Sequence, residues 1–326
     1  MAHKNTSMPI NDRDRPRIGI STCLLGENVR YDGGHKLDRY LANILGQFVE
    51  FVPVCPEVEC GMPIPREAMR LVGDPDDPRL VTQKTGVDMT GQMMDWAVKK
   101  LKELEKEKLS GFIFKAKSPS SGMARVKVYT EDGGVKHNGV GLFARTFMQH
   151  FPLMPVEDDG RLNDAGLREN FIENIFAYGR FQQASESGKP GDLVDYHTRH
   201  KLLVLAHDPE RYREMGRLVA GAGELTRNEL FDEYAVLMHT AMGKRATPSK
   251  HVNVLMHAMG HFKKDLSPDE KQELLEVIEN YKQGLVPLIV PVTLLNHYVR
   301  KYDKKYLADQ FYLHPHPLEL KLRNHV

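Results

Sequence analysis

Three cysteines carry the sharpest chemistry in this 326-residue chain: Cys23, Cys55 and Cys60. Cys55 closes a short apolar run, Cys23 follows another after Ser21 and Thr22, and Cys60 follows Cys55 within the same loop. Thiolates are soft donors suited to zinc or to iron–sulfur clusters. The paired Cys-x-x-Cys knuckles of zinc ribbons are missing. A structural zinc site would also need a fourth ligand, for which His35 is the nearest candidate. A cubane held by three cysteines leaves one iron free to bind substrate. The competing reading is three thiols buried in a core, where free cysteine is common. The odd count, together with a polar stretch at residues 1–17 that has no apolar run behind it, argues against a disulfide framework and for a reducing cytoplasm.

The elements that must position these thiols can be read from periodicity. Residues 17–21, 51–54, 111–115 and 126–129 read as strands, with helices over 38–48, 91–109 and 139–150 and a hairpin over 71–83. This alternation predicts an α/β domain with a mostly parallel, three-layer, Rossmann-like sheet. Three loaded segments then follow three strands: Thr22-Cys23-Leu24-Leu25-Gly26, Cys55-Pro56-Glu57-Val58-Glu59-Cys60-Gly61 and Lys117-Ser118-Pro119-Ser120-Ser121-Gly122. In an open parallel sheet the carboxyl ends of the strands share one edge, and ligands bind there. The three segments are therefore expected to converge. Arg30, Asp32, Lys84 and Lys117 are candidates for the pocket wall, with surface charges as the plainer reading. Glu57 and Ser118 taken alone read as ordinary turn residues.

The run from Ile20 to Lys36 (Ile-Ser-Thr-Cys-Leu-Leu-Gly-Glu-Asn-Val-Arg-Tyr-Asp-Gly-Gly-His-Lys) resembles the N-terminal signature of the thiouracil desulfidase (TudS) family. So do Pro53-Val54-Cys55-Pro56-Glu57, Thr82-Gln83-Lys84-Thr85-Gly86 and Lys115-Ala116-Lys117-Ser118-Pro119-Ser120. The resemblance implies a [4Fe-4S] enzyme that removes sulfur from a thiolated pyrimidine or related thioamide without net redox change. It implies Cys23 and Cys55 as cluster ligands, and Glu57 and Ser118 as catalytic residues. One departure stands out. Short family members read Ser-Pro-Ser-Cys-Gly where this chain has Ser118-Pro119-Ser120-Ser121-Gly122. Cys60 is expected to supply the third ligand instead, with a Ser121 alkoxide as the alternative.

Beyond residue 152 the strand signal fades. Helical period and length recur over 163–183, 196–206, 209–219, 228–242, 249–263, 268–283 and 289–301, predicting an all-α domain. The acidic, proline-bearing stretch 151–160 reads as a linker, which gives domains 1–154 and 155–326. Segments 196–207, 244–264 and 287–298 resemble the YbgA-like helical domain of unknown function. His197, His200 and His207 share one helical face, and His257 and His261 have i, i+4 spacing. Without an accompanying metalloprotease pattern, buried packing positions are the better reading. The basic loop 244–251, entering a helix at Pro248, suggests either an anion site or a plain capped turn. This half is expected to shape substrate access or to hold a larger thiolated molecule.

Composition narrows the functions. Lys and Arg total 45 against 44 Asp and Glu, so nothing marks a dedicated nucleic-acid binder. No apolar run is long enough for a membrane span. The leading expectation is a cytoplasmic, cluster-dependent desulfidase acting on a small thiolated nucleobase, or on a larger thiolated RNA. The alternatives are a metal-containing regulatory or nucleic-acid-binding module, and a structural zinc protein.

Overall fold

The protein is described by a computed structural model covering residues 15–130 and 132–325. Most of the polar N-terminal stretch read above therefore lies outside the described residues. Two units divide between Asn163 and Asp164.

In chain order the first unit contains β1 (Arg17–Ser21), α1 (Arg39–Asn43), β2 (Glu50–Val54), α2 (Pro56–Glu59), β3 (Met69–Asp74), β4 (Asp77–Thr82), α3 (Thr90–Lys106), β5 (Gly111–Phe114), β6 (Val126–Tyr129), β7 (Val135–Gly139), α4 (Leu142–His150) and β8 (Val156–Asp158). Strands β2, β1, β5 and β8 form one sheet in that order, with every neighbouring pair parallel. β1 and β5 occupy its middle, and their near-continuous apolar runs suit strands covered on both faces. Gly19 pairs with Phe112 across the β1–β5 ladder. A Cβ at Gly19 would collide with the Phe112 ring, so only glycine lets that ring lie over the strand. Phe112 then packs against Phe114 and Phe147, with ring centroids 4.4 and 4.6 Å apart. α3 adds Ala97, Leu101 and Leu104 from one helical stripe, and α4 adds Phe143, Ala144 and Phe147.

Two expectations are corrected. Strand 126–129 does not join the parallel sheet. It lies in a second, mixed sheet ordered β4, β3, β6, β7, where β3 pairs antiparallel with β4 and parallel with β6. The edge strand β7 carries mostly exposed polar residues and gave no apolar signal. The stretch expected as a linker instead holds β8, which pairs with β5 through Phe112–Val156, Ile113–Glu157 and Phe114–Asp158. Its acidic residues Glu157 and Asp158 are buried. This moves the boundary from 154/155 to 163/164.

The second unit is all-α: α5 (Ala165–Ser187), α6 (Pro190–His207), α7 (Pro209–Ala220), α8 (Arg227–Met242), α9 (Pro248–Gly260), α10 (Pro268–Lys282), α11 (Ile289–Lys301) and the short α12 (Lys305–Ala308). The seven long helices are those expected. α6 starts six residues early because Pro190 sits in its first turn, where its missing N–H costs nothing. Thr226 with Glu229, and Ser267 with Glu270, form capping boxes that fix the starts of α8 and α10. The core gathers Tyr234, Leu255, Phe262, Leu274, Leu295 and Tyr312. Residues 311–316 form turns and bends that bury Tyr312. Among the described residues no helix is long and apolar enough to cross a membrane.

Candidate active site

Because β1, β2, β5 and β8 run parallel, their carboxyl ends deliver four segments to one edge of the sheet. β1 runs into a single 3-10 turn, Thr22–Leu25, that carries Cys23. β2 ends at Val54, and Cys55 caps α2 with Pro56 in its first turn. Glu59 reaches back to accept the Cys55 N–H at 2.8 Å, which fixes the cap. β5 runs into Lys115 and the serine loop, and β8 runs into Asp159.

These segments line a cavity of about 440 Å³, whose wall includes Cys23, Cys55, Glu57, Lys115, Ser118 and Ser121. The expected convergence is found. Arg30 and Lys117 also line it, whereas Asp32 and Lys84 do not. Lys117 adopts a left-handed backbone, φ +61°, which is uncommon outside glycine.

The carboxylate of Glu57 is the hub. Its Oε1 accepts from Ser120 Oγ at 2.5 Å, and its Oε2 faces the Cys55 thiol at 3.6 Å. Arg66, almost buried, places a guanidinium nitrogen 3.8 Å from Oε2 and donates to Val29 O at 3.0 Å. Ser120 Oγ also meets Ser118 Oγ at 2.9 Å. The Ser120 hydrogen goes to the carboxylate, so the Ser118 hydroxyl must donate to Ser120. The result is a polarised chain from Ser118 through Ser120 to Glu57. The loop is held on α4: the Leu142 and Ala144 N–H groups donate to Pro119 O and Ser120 O at 3.3 and 3.2 Å. Otherwise unpaired donors of the first turn are thereby satisfied.

Lys115 Nζ pairs with Asp159 Oδ2 at 2.7 Å, and Asp159 Oδ1 accepts the Ala116 N–H at 2.6 Å. The Lys115 N–H donates to Ser21 Oγ at 2.9 Å. Burial pushes the Cys23 thiol up to about 11, although Lys115 and Arg30 pull the other way. Burial, helped by the Glu57 charge, pushes Cys55 up to about 12. Thiols so placed stay protonated at neutral pH unless a strong cation replaces the proton, as a coordinating metal does.

Cys60 does not join them. It ends α2 with its thiol 3.3 Å from Glu57 O and packs against the cluster containing Met62, Leu71 and Met93. The cavity wall does not include it. Among the described residues no three or more histidine, cysteine or acidic side chains are grouped as a ready metal site. Sequence reasoning missed Ser120, because its neighbour Ser118 carried the resemblance, and Asp159, because β8 looked like linker. A run of three acids after Val156 was the available signal for Asp159.

Among the histidines of the helical unit, His197, His200 and His251 are buried packing residues, whereas His257 and His261, expected to be buried, are exposed. His197 meets Tyr234 OH at 3.1 Å, His200 meets Tyr196 O at 2.8 Å, and His251 meets Tyr312 OH at 3.1 Å. The cations of the basic loop are engaged within that unit: Lys244 with Asp208 at 2.5 Å, and Lys250 with His207 O at 2.6 Å. A buried charge network went unanticipated. Arg323 pairs with Glu173 at 2.6 Å and lies 3.4 Å from Glu169, while His207 meets Glu173 at 3.2 Å.

Comparison with known proteins places both units. Residues 18–159 match the family model for 2-thiouracil desulfurase, and residues 201–317 match a family described as protein of unknown function, DUF1722. The uncharacterised protein YbgA of Escherichia coli (strain K12) is 33% identical over 158 residues, covering 48% of this chain and 94% of that protein. The chain belongs to the YbgA family. It joins a thiouracil desulfidase-like domain to a DUF1722 helical domain. The uncharacterised protein YbbK of Bacillus subtilis (strain 168) is 29% identical over 137 residues, covering 40% of this chain and 89% of that protein. A solved structure of the [4Fe-4S]-dependent thiouracil desulfidase TudS is 28% identical, covers 46% of this chain and 95% of its own, and superposes with a TM-score of 0.38.

Proposed function

We propose that the first unit is a [4Fe-4S]-dependent desulfidase that converts the thiocarbonyl of a small thiolated pyrimidine to a carbonyl, taking up water and releasing hydrogen sulfide with no net oxidation or reduction. The family match supports the reaction class. The observation that carries the reading is the meeting of two buried thiols, Cys23 and Cys55, with the Glu57 carboxylate in one cavity.

The donor set fits a cluster. Two soft sulfurs face a common space, and both are too weakly acidic to ionise without a bound metal. Cys23 and Cys55 would hold the group. When bound, a cluster with an iron not ligated by the chain supplies a soft Lewis acid for the thiocarbonyl sulfur.

The chain's own groups do the proton work. Ser120 occupies only one lone pair of Glu57 Oε1, and Oε2, turned toward Cys55, keeps a lone pair with which to take a proton from a water attacking the carbon that bears sulfur. Arg66 balances the charge on that oxygen. The Ser118 hydroxyl, on the cavity wall, is placed to orient water or the ring, and a proton it receives can pass through Ser120 to Glu57. The Lys115–Asp159 pair locks the end of β5, so that the serine loop leaves the sheet in one direction.

The test is anaerobic incubation of the reconstituted chain with 2-thiouracil, measuring sulfide and uracil together. Equal amounts of both, well above a protein-free control, are expected. A reconstituted protein that binds 2-thiouracil and leaves it intact would remove this reading.

A further inference from the structure

We propose that the third cluster ligand in this chain is the Ser121 oxygen, and that Cys60 is a packing residue. This rests on the cluster reading above and deepens it. Ser121 is 3% exposed and lines the cavity with Cys23 and Cys55. Its backbone is pinned on both sides. The Ser121 N–H donates to Ser118 Oγ at 3.2 Å, and the Gly122 N–H donates to Ser118 O at 2.8 Å. The next residue has no freedom either: a Cβ on Gly122 would lie 2.5 Å from Val126 and 2.7 Å from Ser118 O. Across the loop, a Cβ on Gly141 would lie 2.6 Å from the Ser120 carbonyl. The direction of the Ser121 side chain is therefore set by close packing. Its hydroxyl makes one long contact, 3.4 Å, to Ser120 Oγ, whose own hydrogen is already given to Glu57. The hydroxyl thus keeps lone pairs for a ligand in the cavity.

Cys60 has the softer donor and the wrong position. Its N–H donates to Pro56 O at 3.0 Å, closing the turn of α2, and its carbonyl accepts from Gln92 at 2.6 Å. Its thiol lies against the side of Glu57 that bears the main-chain carbonyl. No atom of Cys60 reaches the cavity wall, and turning the thiol elsewhere would give up its contact with Glu57 O. Ser121 would coordinate as the alkoxide, its hydroxyl proton passing to water. An oxygen donor is harder than sulfur and holds a soft, cluster-bound iron less firmly.

The experiment compares anaerobically reconstituted full-length wild type with Ser121→Ala, Ser121→Cys and Cys60→Val. Iron and acid-labile sulfide per chain are measured together with the electron paramagnetic resonance of the oxidised and reduced protein. Cys60→Val keeps an apolar group of similar bulk, so the α2 region still packs, and circular dichroism verifies this. The proposal expects Cys60→Val to match wild type in iron, sulfide and resonance. It expects Ser121→Ala, left with two ligands, to take up well under the wild-type iron and sulfide and to lose the wild-type resonance. Ser121→Cys should hold the full complement more firmly against a chelator and shift the resonance. Loss of the cluster in folded Cys60→Val, with Ser121→Ala unchanged, overturns the proposal and makes Cys60 the ligand. A full cluster in both overturns it as well. A wild type that takes up no iron and sulfide overturns the cluster reading itself, which is a different result from either of these.

Discussion

Ser120 offers a direct test of the proton chemistry, because it lies behind the cavity wall and touches the site only through Glu57 and its neighbouring serines. Ser120→Ala deletes a hydroxyl that is fully buried and donates to Glu57 Oε1 at 2.5 Å. A hydrogen bond to a charged group is worth about 1.5–3 kcal/mol. If that interaction holds the carboxylate in its working position, the same free energy appears in the barrier. At about 1.4 kcal/mol per factor of ten, kcat/KM should fall roughly 10- to 100-fold. Glu57 keeps its Arg66 partner, so some turnover survives. The assay is sulfide release from 2-thiouracil, normalised to cluster content so that any change in loading drops out. Ser120→Ala at wild-type rates, with its fold and iron intact, refutes the relay and leaves Ser120 as loop packing. Complete loss of iron in that variant would refute the reasoning differently, by making Ser120 part of the cluster's support.

Further outcomes follow from other contacts. Glu57→Gln preserves shape and removes the proton acceptor, so turnover should fall roughly 10²- to 10⁴-fold with iron and sulfide content unchanged; an active Glu57→Gln would move the base elsewhere. In the helical unit Arg323→Ala strips the counter-charge from the buried Glu173 carboxylate and removes the contact to Glu169 one helical turn away. That should cost about 3–5 kcal/mol of stability, seen as an earlier urea transition in that unit; a transition at the wild-type urea concentration would show the network to be dispensable. Within the same network, burial and the charge of Glu173 push Glu169 up, while burial of Glu173 is outweighed by Arg323 and His207, which hold it down. Glu169 binds its proton more tightly folded than unfolded, so its contribution is present in acid and fades as pH rises above the ordinary carboxylate range. Glu173 contributes in the opposite sense and is lost as pH falls. Glu169→Gln should therefore flatten the fall in stability between mildly acidic and neutral pH, as followed by urea midpoints across that range.

Much of this was legible in the sequence, and the reasons are specific. The central strands announced themselves because a parallel strand covered on both faces needs an unbroken apolar run, as in Ile18–Ile20 and Phe112–Phe114. The convergence of Cys23, Cys55 and Ser118 followed from parallel strand ends alone. Edge elements escaped: β7 is mostly exposed and polar, and β8 puts buried acids, Glu157 and Asp158, in a sheet. With β8 went Asp159, which only the tertiary pairing with Lys115 reveals. Cys60 was favoured as a ligand on softness and proximity along the chain, but a one-turn helix decides where a side chain points, and α2 turns Cys60 away from the cavity. The Arg323 network was invisible because its members look like surface charges until α5 and the C-terminal turns bury them together.

The central claim is that Cys23 and Cys55 hold an iron–sulfur cluster at the carboxyl edge of the parallel sheet. Its most direct test is iron, zinc and sulfide analysis, with a visible spectrum, of anaerobically reconstituted wild type beside Cys23→Ala and Cys55→Ala. A brown wild type with about four irons and matching sulfide per chain, and colourless variants that remain folded, is the predicted result. A colourless or zinc-loaded wild type, or a full cluster in either cysteine variant, would contradict it.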